Sequence, residues 1–523
     1  MIRKKHRARL LASVGVAATV FVAACGGGGA ESGDSSGDGG SPVPGGTLRA
    51  IQLGEPRSLD PAALSNTWAH HATLGNSLYG TLMINDPETL DVEYTMASDF
   101  STPDGGKTFD LVLRPGLVFT DDTPLDAEAV KFNWDRLRDP ALGSNSIRMA
   151  GQIADTSVVD PTTLKVTMKE PNPQFAQALL ASSLNWIASP TALRKGRAAF
   201  DESPVGAGPF TLTHWTRQAS IELSKNADFY AAPKPYLDKL TIQTVPDSNT
   251  RVNTMTTGGA DLASESNNAA LEKAKAAGLQ TELVPTSGGQ YMGMNWKKAP
   301  FNDPRARKAV QLATDLDALN TIVYDGQGIV PQTLFDDKSP FFTDVALQQR
   351  NTDEAQKLFD ELAAEGKPVS FTFLSYPTSE SRMLAEGLQS QLSAYDNVDV
   401  KVEVLDLGAA TARVASRDFQ MTISSAIIQD PDFPLWMAFH SNSPGNILGV
   451  DDAELDKALD EGRVATSPAE RKAAYEAAQK RIVATVPGIW YIRATPSVTY
   501  ADNVHGVDLY TLGSPLPENI WMN

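Results

Sequence analysis

The chain has 523 residues, with 45 Lys and Arg against 63 Asp and Glu, a formal charge of −18. A binder of phosphate backbones needs a basic face to displace condensed counterions, and no dense Lys/Arg run lies outside the first nine residues, so nucleic acid is excluded as a partner. A single cysteine excludes an internal disulfide, and 41% hydrophobic residues over this length predict two or three separately packed domains.

In chain order the first feature is basic: Arg3, Lys4, Lys5, Arg7 and Arg9 precede an uncharged run from Leu10 to Ala24. At 15 residues that run is shorter than the ~20 a spanning helix needs, so residues 1–24 read as an export signal. Ala23 and Ala24 stand directly before Cys25 and resemble the lipobox of bacterial lipoproteins, which implies cleavage before Cys25 and acylation of its thiol. An incidental cysteine behind an ordinary signal is the alternative. Residues 25–45 weigh against it, because this Gly-, Ser- and Asp-rich stretch has no apolar pattern to bury and reads as a flexible tether. A multiply acylated cysteine would anchor such a tether to the cell membrane without a spanning helix. Loss of the signal leaves 40 basic against 63 acidic residues, a charge of −23, which suits solubility outside the cell.

Beyond the tether, strands and helices alternate. Phe109, Leu111 and Leu113 mark a strand ending at Arg114-Pro115-Gly116, and Asp126 caps a helix that carries Val130, Trp134 and Leu137 on one face. Asp303-Pro304 supplies an acceptor and a first-turn proline to a helix bearing Ala306, Ala309, Val310 and Ala313. Thr352 caps the next helix, with Leu358 and Leu362 inward and Gly366 as its stop. Val369–Phe373 alternates as a strand, Ser379–Tyr395 switches to helical spacing, and Val398, Val400, Val402 and Val404 interleave charged residues as a second strand. Strand, helix and strand within about 36 residues form a βαβ unit with parallel strands. A helix over Ala409–Ser416 and a strand over Phe419–Ile427 extend that sheet, so the fold class is α/β.

Catalytic signatures are missing. Gly33-Asp34-Ser35-Ser36-Gly37 spells a nucleophile elbow, yet it lies in the tether with no strand before it and no helix after it. There is no HExxH, CxxC or Walker A loop, and Gly206-Ala207-Gly208-Pro209 lacks the third glycine of a dinucleotide fingerprint. His70 and His71 are adjacent and so diverge on a helix, which makes them poor joint metal ligands, and the acid pairs Asp121-Asp122 and Asp451-Asp452 read as solvated turns. No cofactor, no metal and no enzymatic activity are expected.

Several segments carry a resemblance. Met96–Phe100, Gly106–Phe119 and Thr123–Val130, continuing through Pro204–Phe210, Tyr236–Leu240, Gly258–Asp261, Met294-Asn295 and Pro300–Arg305, resemble the signature of solute-binding protein family 5, the peptide/nickel/opine group that serves ABC importers. The resemblance implies a two-lobed, type II periplasmic-binding-protein-like fold of the large class with an extra inserted domain, acting as a monomer beside membrane permease subunits. Mapped onto this chain, lobe one comprises 46–85, 205–288 and 490–523, the insertion 86–204, and lobe two 289–489. The lobe crossings near Gly288–Tyr291 and Pro487–Tyr491 would then be a hinge, closing on a small organic solute.

Ligands of open α/β sheets bind beyond the carboxyl ends of strands, which points to Ile427-Ile428-Gln429-Asp430-Pro431-Asp432. Peptide binders of the family commonly show Trp-x-x-Asp-x-x-Asp-Pro here, and alignment on Asp430-Pro431 puts Ser424 at the tryptophan and Ile427 at the aspartate that pairs with a peptide ammonium. An ammonium buried without a counter-charge loses ~3–5 kcal/mol. A less zwitterionic ligand is therefore expected: a blocked or modified peptide, a glycoside or another organic solute. Arg382, the only arginine near the end of the first βαβ strand, is a weak candidate for a carboxylate anchor, and nickel is disfavoured by the sparse histidines, although His440 falls near the cleft. Further cleft candidates are Glu55, Trp68, Tyr79, Gln290, Tyr291, Asn295 and Trp436, since aromatics give a solute apolar contact and amides orient it. Core packing competes with that role for each aromatic, most of all for Trp436, which shares helical spacing with Phe433 and His440 after a candidate Asp432 cap. The alternative functions are a tethered sensor or chaperone using the same cleft and, behind it, a secreted hydrolase.

Overall fold

The computed structural model describes residues 40–523; the expected signal, Cys25, the Gly33–Gly37 motif and the tether up to residue 39 lie outside them. The end of the expected tether is already attached, because Gly45 N donates to Tyr236 O at 2.8 Å and Gly46 O accepts from Asp238 N at 3.0 Å.

Three sheets carry the fold. A seven-stranded sheet runs in the order Gln280–Leu283, Ser497–Tyr500, Leu262–Glu265, Thr47–Gln52, Lys239–Thr244, Ser220–Lys225, Phe210–Thr216. Its centre is parallel, with Thr47–Gln52 between Lys239–Thr244 and Leu262–Glu265, and its flanks are antiparallel. A four-stranded antiparallel sheet is built from Ala97–Ser101, Thr108–Leu113, Thr163–Met168 and Ile153–Asp160. Its core holds Phe100, Phe109, Trp134 and Phe175, with the Phe100 and Phe109 rings stacked at 4.7 Å. The third sheet has five strands, ordered Val398–Val404, Val369–Ser375, Met421–Ile428, Ser287–Met294, Gly488–Ile492. Val369–Ser375 pairs in parallel with both Val398–Val404 and Met421–Ile428, as the βαβ pattern predicts. Alternate residues of this sheet feed different cores: Met292, Phe371 and Phe373 on one side, Tyr291, Leu374 and Ala426 on the other.

Several local expectations hold, and others move by a residue. Asp126 accepts from Ala129 N at 2.9 Å ahead of helix Ala127–Leu137, and Asp303 accepts from Arg305 N at 2.9 Å ahead of helix Pro304–Ala313. The cap of helix Thr352–Ala364 is Asn351 instead of Thr352, its amide oxygen meeting Glu354 N at 3.1 Å. Asp432 is the first residue of helix Asp432–Phe439 and not its cap, because its carboxylate is held elsewhere.

The connections between the seven- and five-stranded sheets are short and adjacent. Chain enters the five-stranded sheet through residues 284–286 and leaves it through 493–496, the first earlier than the crossing expected at Gly288–Tyr291 and the second later than the one expected at Pro487–Tyr491. The reason is strand pairing: Gly488–Ile492 lies against Ser287–Met294, so the boundary expected between residues 489 and 490 falls inside a strand. Val284 N donates to Pro496 O at 2.9 Å and Thr286 Oγ1 to Ala494 O at 2.8 Å, tying the two connections side by side. Gly288 and Gly289 follow at once, with φ of +65° and +132°; a Cβ at either would lie 2.1 Å from a carbonyl oxygen, of Ala426 or of Ile492.

Candidate functional site

Strand Met421–Ile428 delivers the chain to a turn, Gln429-Asp430-Pro431, and then into helix Asp432–Phe439. In front of that turn is a cavity of about 410 Å³, walled by all three sheet units. The five-stranded unit supplies Tyr291, Ser424–Ile427, Gln429 and the Phe433, Pro434, Met437, Ala438 stripe of the helix. The four-stranded unit faces it with Arg148 and Met149 from helix Ile147–Ala150, and with Gln174, Gln177, Ala178 and Ala181, spaced so that they share one helical face. Thr67, Thr511 and Leu512 close the seven-stranded side.

Acidic groups at the wall are already matched. Asp430, 8% exposed, lies 2.9 Å from Arg471 Nη2, and burial pushes its carboxyl up while that guanidinium opposes the shift. Asp432, 3% exposed, takes Arg463 Nε at 2.7 Å on one oxygen and Asn172 Nδ2 at 2.9 Å on the other. This last bond crosses the cleft. So do Gln174 Nε2 to Ala465 O at 3.3 Å, Gln429 Nε2 to Thr511 O at 3.0 Å, and Asn85 Nδ2 to Gln429 Oε1 at 3.3 Å. Asn85 Nδ2 also reaches Gln177 Oε1 at 3.3 Å, so an amide cluster bounds one end of the cavity.

Among the residues singled out from sequence, the structure brings Tyr291 and Ile427 to the cavity wall. Tyr291 is buried with its hydroxyl pushed up to about 12, and its ring packs 4.6 Å from Trp490. Gln290 is turned away, because successive strand residues face opposite sides; its Oε1 accepts from Tyr491 OH. Asn295 is structural, its amide donating to Arg417 O at 3.1 Å and Phe419 O at 2.9 Å. Tyr79 lies in the seven-stranded core and donates to Leu59 O. Glu55 sits beside Gln218 N at 3.0 Å, in a crevice with Trp215 and not in the cavity. Trp68 is buried just behind the wall, between lining residues Thr67 and Leu512, to whose carbonyl its own N–H donates at 3.3 Å.

Trp436 also misses the cavity. Helical spacing gives that face to Phe433 and Met437, leaving Trp436 to stack on His440 at 4.7 Å with Arg463 over its ring at 4.4 Å. His440 is thereby taken into a pair with Asp460 at 3.2 Å, and Arg382 is exposed on helix Ser379–Leu392. Sequence reasoning did not find Arg148, Gln174, Gln177 or Thr511. The available signal was the small and polar stripe Gln174, Gln177, Ala178, Ala181, which is too polar to be a core face and too regular to be a loop.

A model of the bacterial extracellular solute-binding proteins, family 5, middle region, matches residues 91–446. The chain belongs to that family. Like other family members it is an extracytoplasmic solute-binding protein of the kind that serves ABC importers, and among the described residues no helix is long and apolar enough to cross a membrane. This family 5 protein is 29% identical over 456 residues to the glutathione-binding protein GsiB of Shigella dysenteriae, covering 83% of this chain and 86% of the relative, and equally to GsiB of Escherichia coli. Its type II fold, with several sheets, is shared with solved structures. The binding protein AgaA of A. tumefaciens, in complex with agropinic acid, has a TM-score of 0.76 at 24% identity, over 91% of this chain and 99% of its own. A dipeptide-binding protein of Pseudoalteromonas sp. SM9913, in complex with Met-Leu, has a TM-score of 0.75 at 22% identity, over 91% and 100%.

Proposed function

We propose that this protein captures a small organic solute in the cavity at Met421–Phe439 and presents it to the permease of an ABC importer, closing by rotation about residues 284–286 and 493–496. The observation that carries the reading is the cavity's construction: its walls come from all three sheet units, while two adjacent connections alone lead into and out of the five-stranded unit. In this reading the seven- and four-stranded units form one lobe and the five-stranded unit the other.

The solute is peptide-like in size, within the range of small-molecule pockets, and lacks a free ammonium. Asp430 and Asp432 are committed to Arg471 and Arg463, so the wall offers an incoming cation no free carboxylate, and Ile427, which the family resemblance aligns with the ammonium-binding aspartate, is apolar. A blocked or modified peptide, a glycoside or an opine-like conjugate meets that condition. The glutathione of GsiB and the agropinic acid of AgaA are ligands of those relatives and set the size class. The protein acts as a monomer, held to the membrane through Cys25.

Small-angle scattering on protein stripped of solute tests the closure. Addition of the solute identified by native mass spectrometry of host-purified protein should lower the radius of gyration, and identical profiles at saturation refute hinge closure. For the anchor, Cys25→Ser should release the protein from membranes or leave its precursor uncleaved; normal processing with unchanged membrane association refutes the assignment.

A further inference from the structure

We propose that Arg148 binds a carboxylate of the captured solute and sets the charge this protein accepts. The proposal rests on the cleft reading above and adds the ligand's chemical class. Arg148 is the only Lys, Arg or His in the cavity lining. The lining's two acids are each neutralised, Asp430 by Arg471 at 2.9 Å and Asp432 by Arg463 at 2.7 Å. Arg148 has no such partner among the described residues: no carboxylate lies within salt-bridge distance and no carbonyl or hydroxyl accepts from it. The wall therefore carries one uncompensated positive charge.

Its position gives the charge a task. Arg148 rises from the four-stranded unit, yet its Nη1 lies 3.5 Å from where a Cβ of Gly445 would sit, in the five-stranded unit. The guanidinium thus stands at the seam between the moving parts. That Cβ would also fall 2.5 Å from the Met437 methyl, so glycine at 445 keeps the space open. An anion held there would contact both sides only when the cleft is shut. Arg148 keeps an exposed face in this arrangement, so a neutral solute would leave its charge to water, whereas a carboxylate seated beside it would add a charge-assisted bond. The planar fork of donors matches a carboxylate through two parallel bonds, and Gln174 and Gln177 in the same lining are neutral, so a single negative charge is balanced.

The test uses matched pools of N-acetylated di- and tripeptides, one as free acids and one as C-terminal amides, read by native mass spectrometry on stripped protein. Wild type should retain acids over amides by roughly 3- to 10-fold, a charge-assisted bond discounted for the exposure of the guanidinium. Arg148→Gln should erase that preference, and Arg148→Lys should keep part of it. Equal retention of acids and amides by wild type, or an undiminished preference in Arg148→Gln, overturns the assignment. A second arm presents the small-molecule extract of the host. Capture of a solute without any acidic group overturns Arg148 as the anchor and leaves the cleft reading standing; no capture from the pools or the extract overturns both.

Discussion

The hydrogen bond between Asn172 and Asp432 should hold the cleft shut. Asn172 is buried at 1% exposure, and its Nδ2 donates across the cleft to Asp432 Oδ2 at 2.9 Å. The other oxygen of Asp432 is fixed by Arg463, so the acceptor is oriented. If the proposed opening separates the two sides, both groups return to water and the bond belongs to the closed state alone. Asn172→Asp keeps the size of the side chain and the oxygen that accepts from Gln174 N at 2.9 Å, but replaces the donor with a second carboxylate. Loss of a hydrogen bond to a charged group is worth ~1.5–3 kcal/mol, or roughly 10- to 150-fold in the closed–open equilibrium. Since solute binds the closed form, its apparent affinity should fall by up to the same factor, with repulsion adding to it. Calorimetry at pH 7.5 with the solute recovered from wild type, alongside scattering of the free protein, reads both effects. Two facing carboxylates raise one pKa, and the protonated group can donate as the amide did, so affinity should recover as the pH falls toward 5. Unchanged affinity and unchanged radius of gyration in Asn172→Asp would refute the latch, and a defect that does not ease in acid would refute its electrostatic cause.

Selectivity should turn on Ile427. Unblocked di- and tripeptides should bind wild type poorly, and Ile427→Asp should improve an unblocked peptide relative to its N-acetylated form; tight wild-type binding of free peptides with no gain in the variant would place the ammonium elsewhere. Stability should depend on Glu518, whose carboxyl is pushed up to about 7, chiefly by burial. An acid raised in the folded state is ionised earlier in the unfolded chain, so its contribution to stability is lost as pH rises from about 4.5 to 7, by ~3 kcal/mol in all. His71, lowered to about 4 by burial, contributes the opposite slope over an overlapping window, gaining stability as pH rises. Comparison of wild type with Glu518→Gln cancels the histidine: the variant should gain on wild type in denaturant unfolding from pH 5 to pH 8, and a constant difference would contradict the assignment.

What the sequence disclosed and what it withheld have one physical cause. Periodicity reports which side of an element is buried, so strands Val369–Phe373 and Val398–Val404 were legible from their alternation, and the Asp126 and Asp303 caps from contacts within three residues. The same rule misled at single positions. Gln290 and Tyr291 are neighbours, and only the register of their strand decides that Tyr291 meets the cavity while Gln290 meets Tyr491. Trp436 and Met437 differ by one helical step, and the aromatic, more conspicuous in sequence, is the one turned away. The crossings moved for a related reason: Gly488–Ile492 finds its partner nearly two hundred residues away, and no local pattern encodes that pairing.

Arg148 and Gln174 belong to the four-stranded unit, and their position opposite Phe433 and Met437 exists only once separately packed units meet across the cleft. A strand's polarity, by contrast, is local and fixes where its ligand end must be. Family resemblance located the turn at Asp430-Pro431, while the fold shows that the turn's own acids are consumed by Arg471 and Arg463. In this arrangement the acids near the strand end set the wall's shape, and the charge left to select a solute comes from the opposite side. A substitution at Asp430 or Asp432 should therefore disturb folding or closure, whereas one at Arg148 should alter which solute is held.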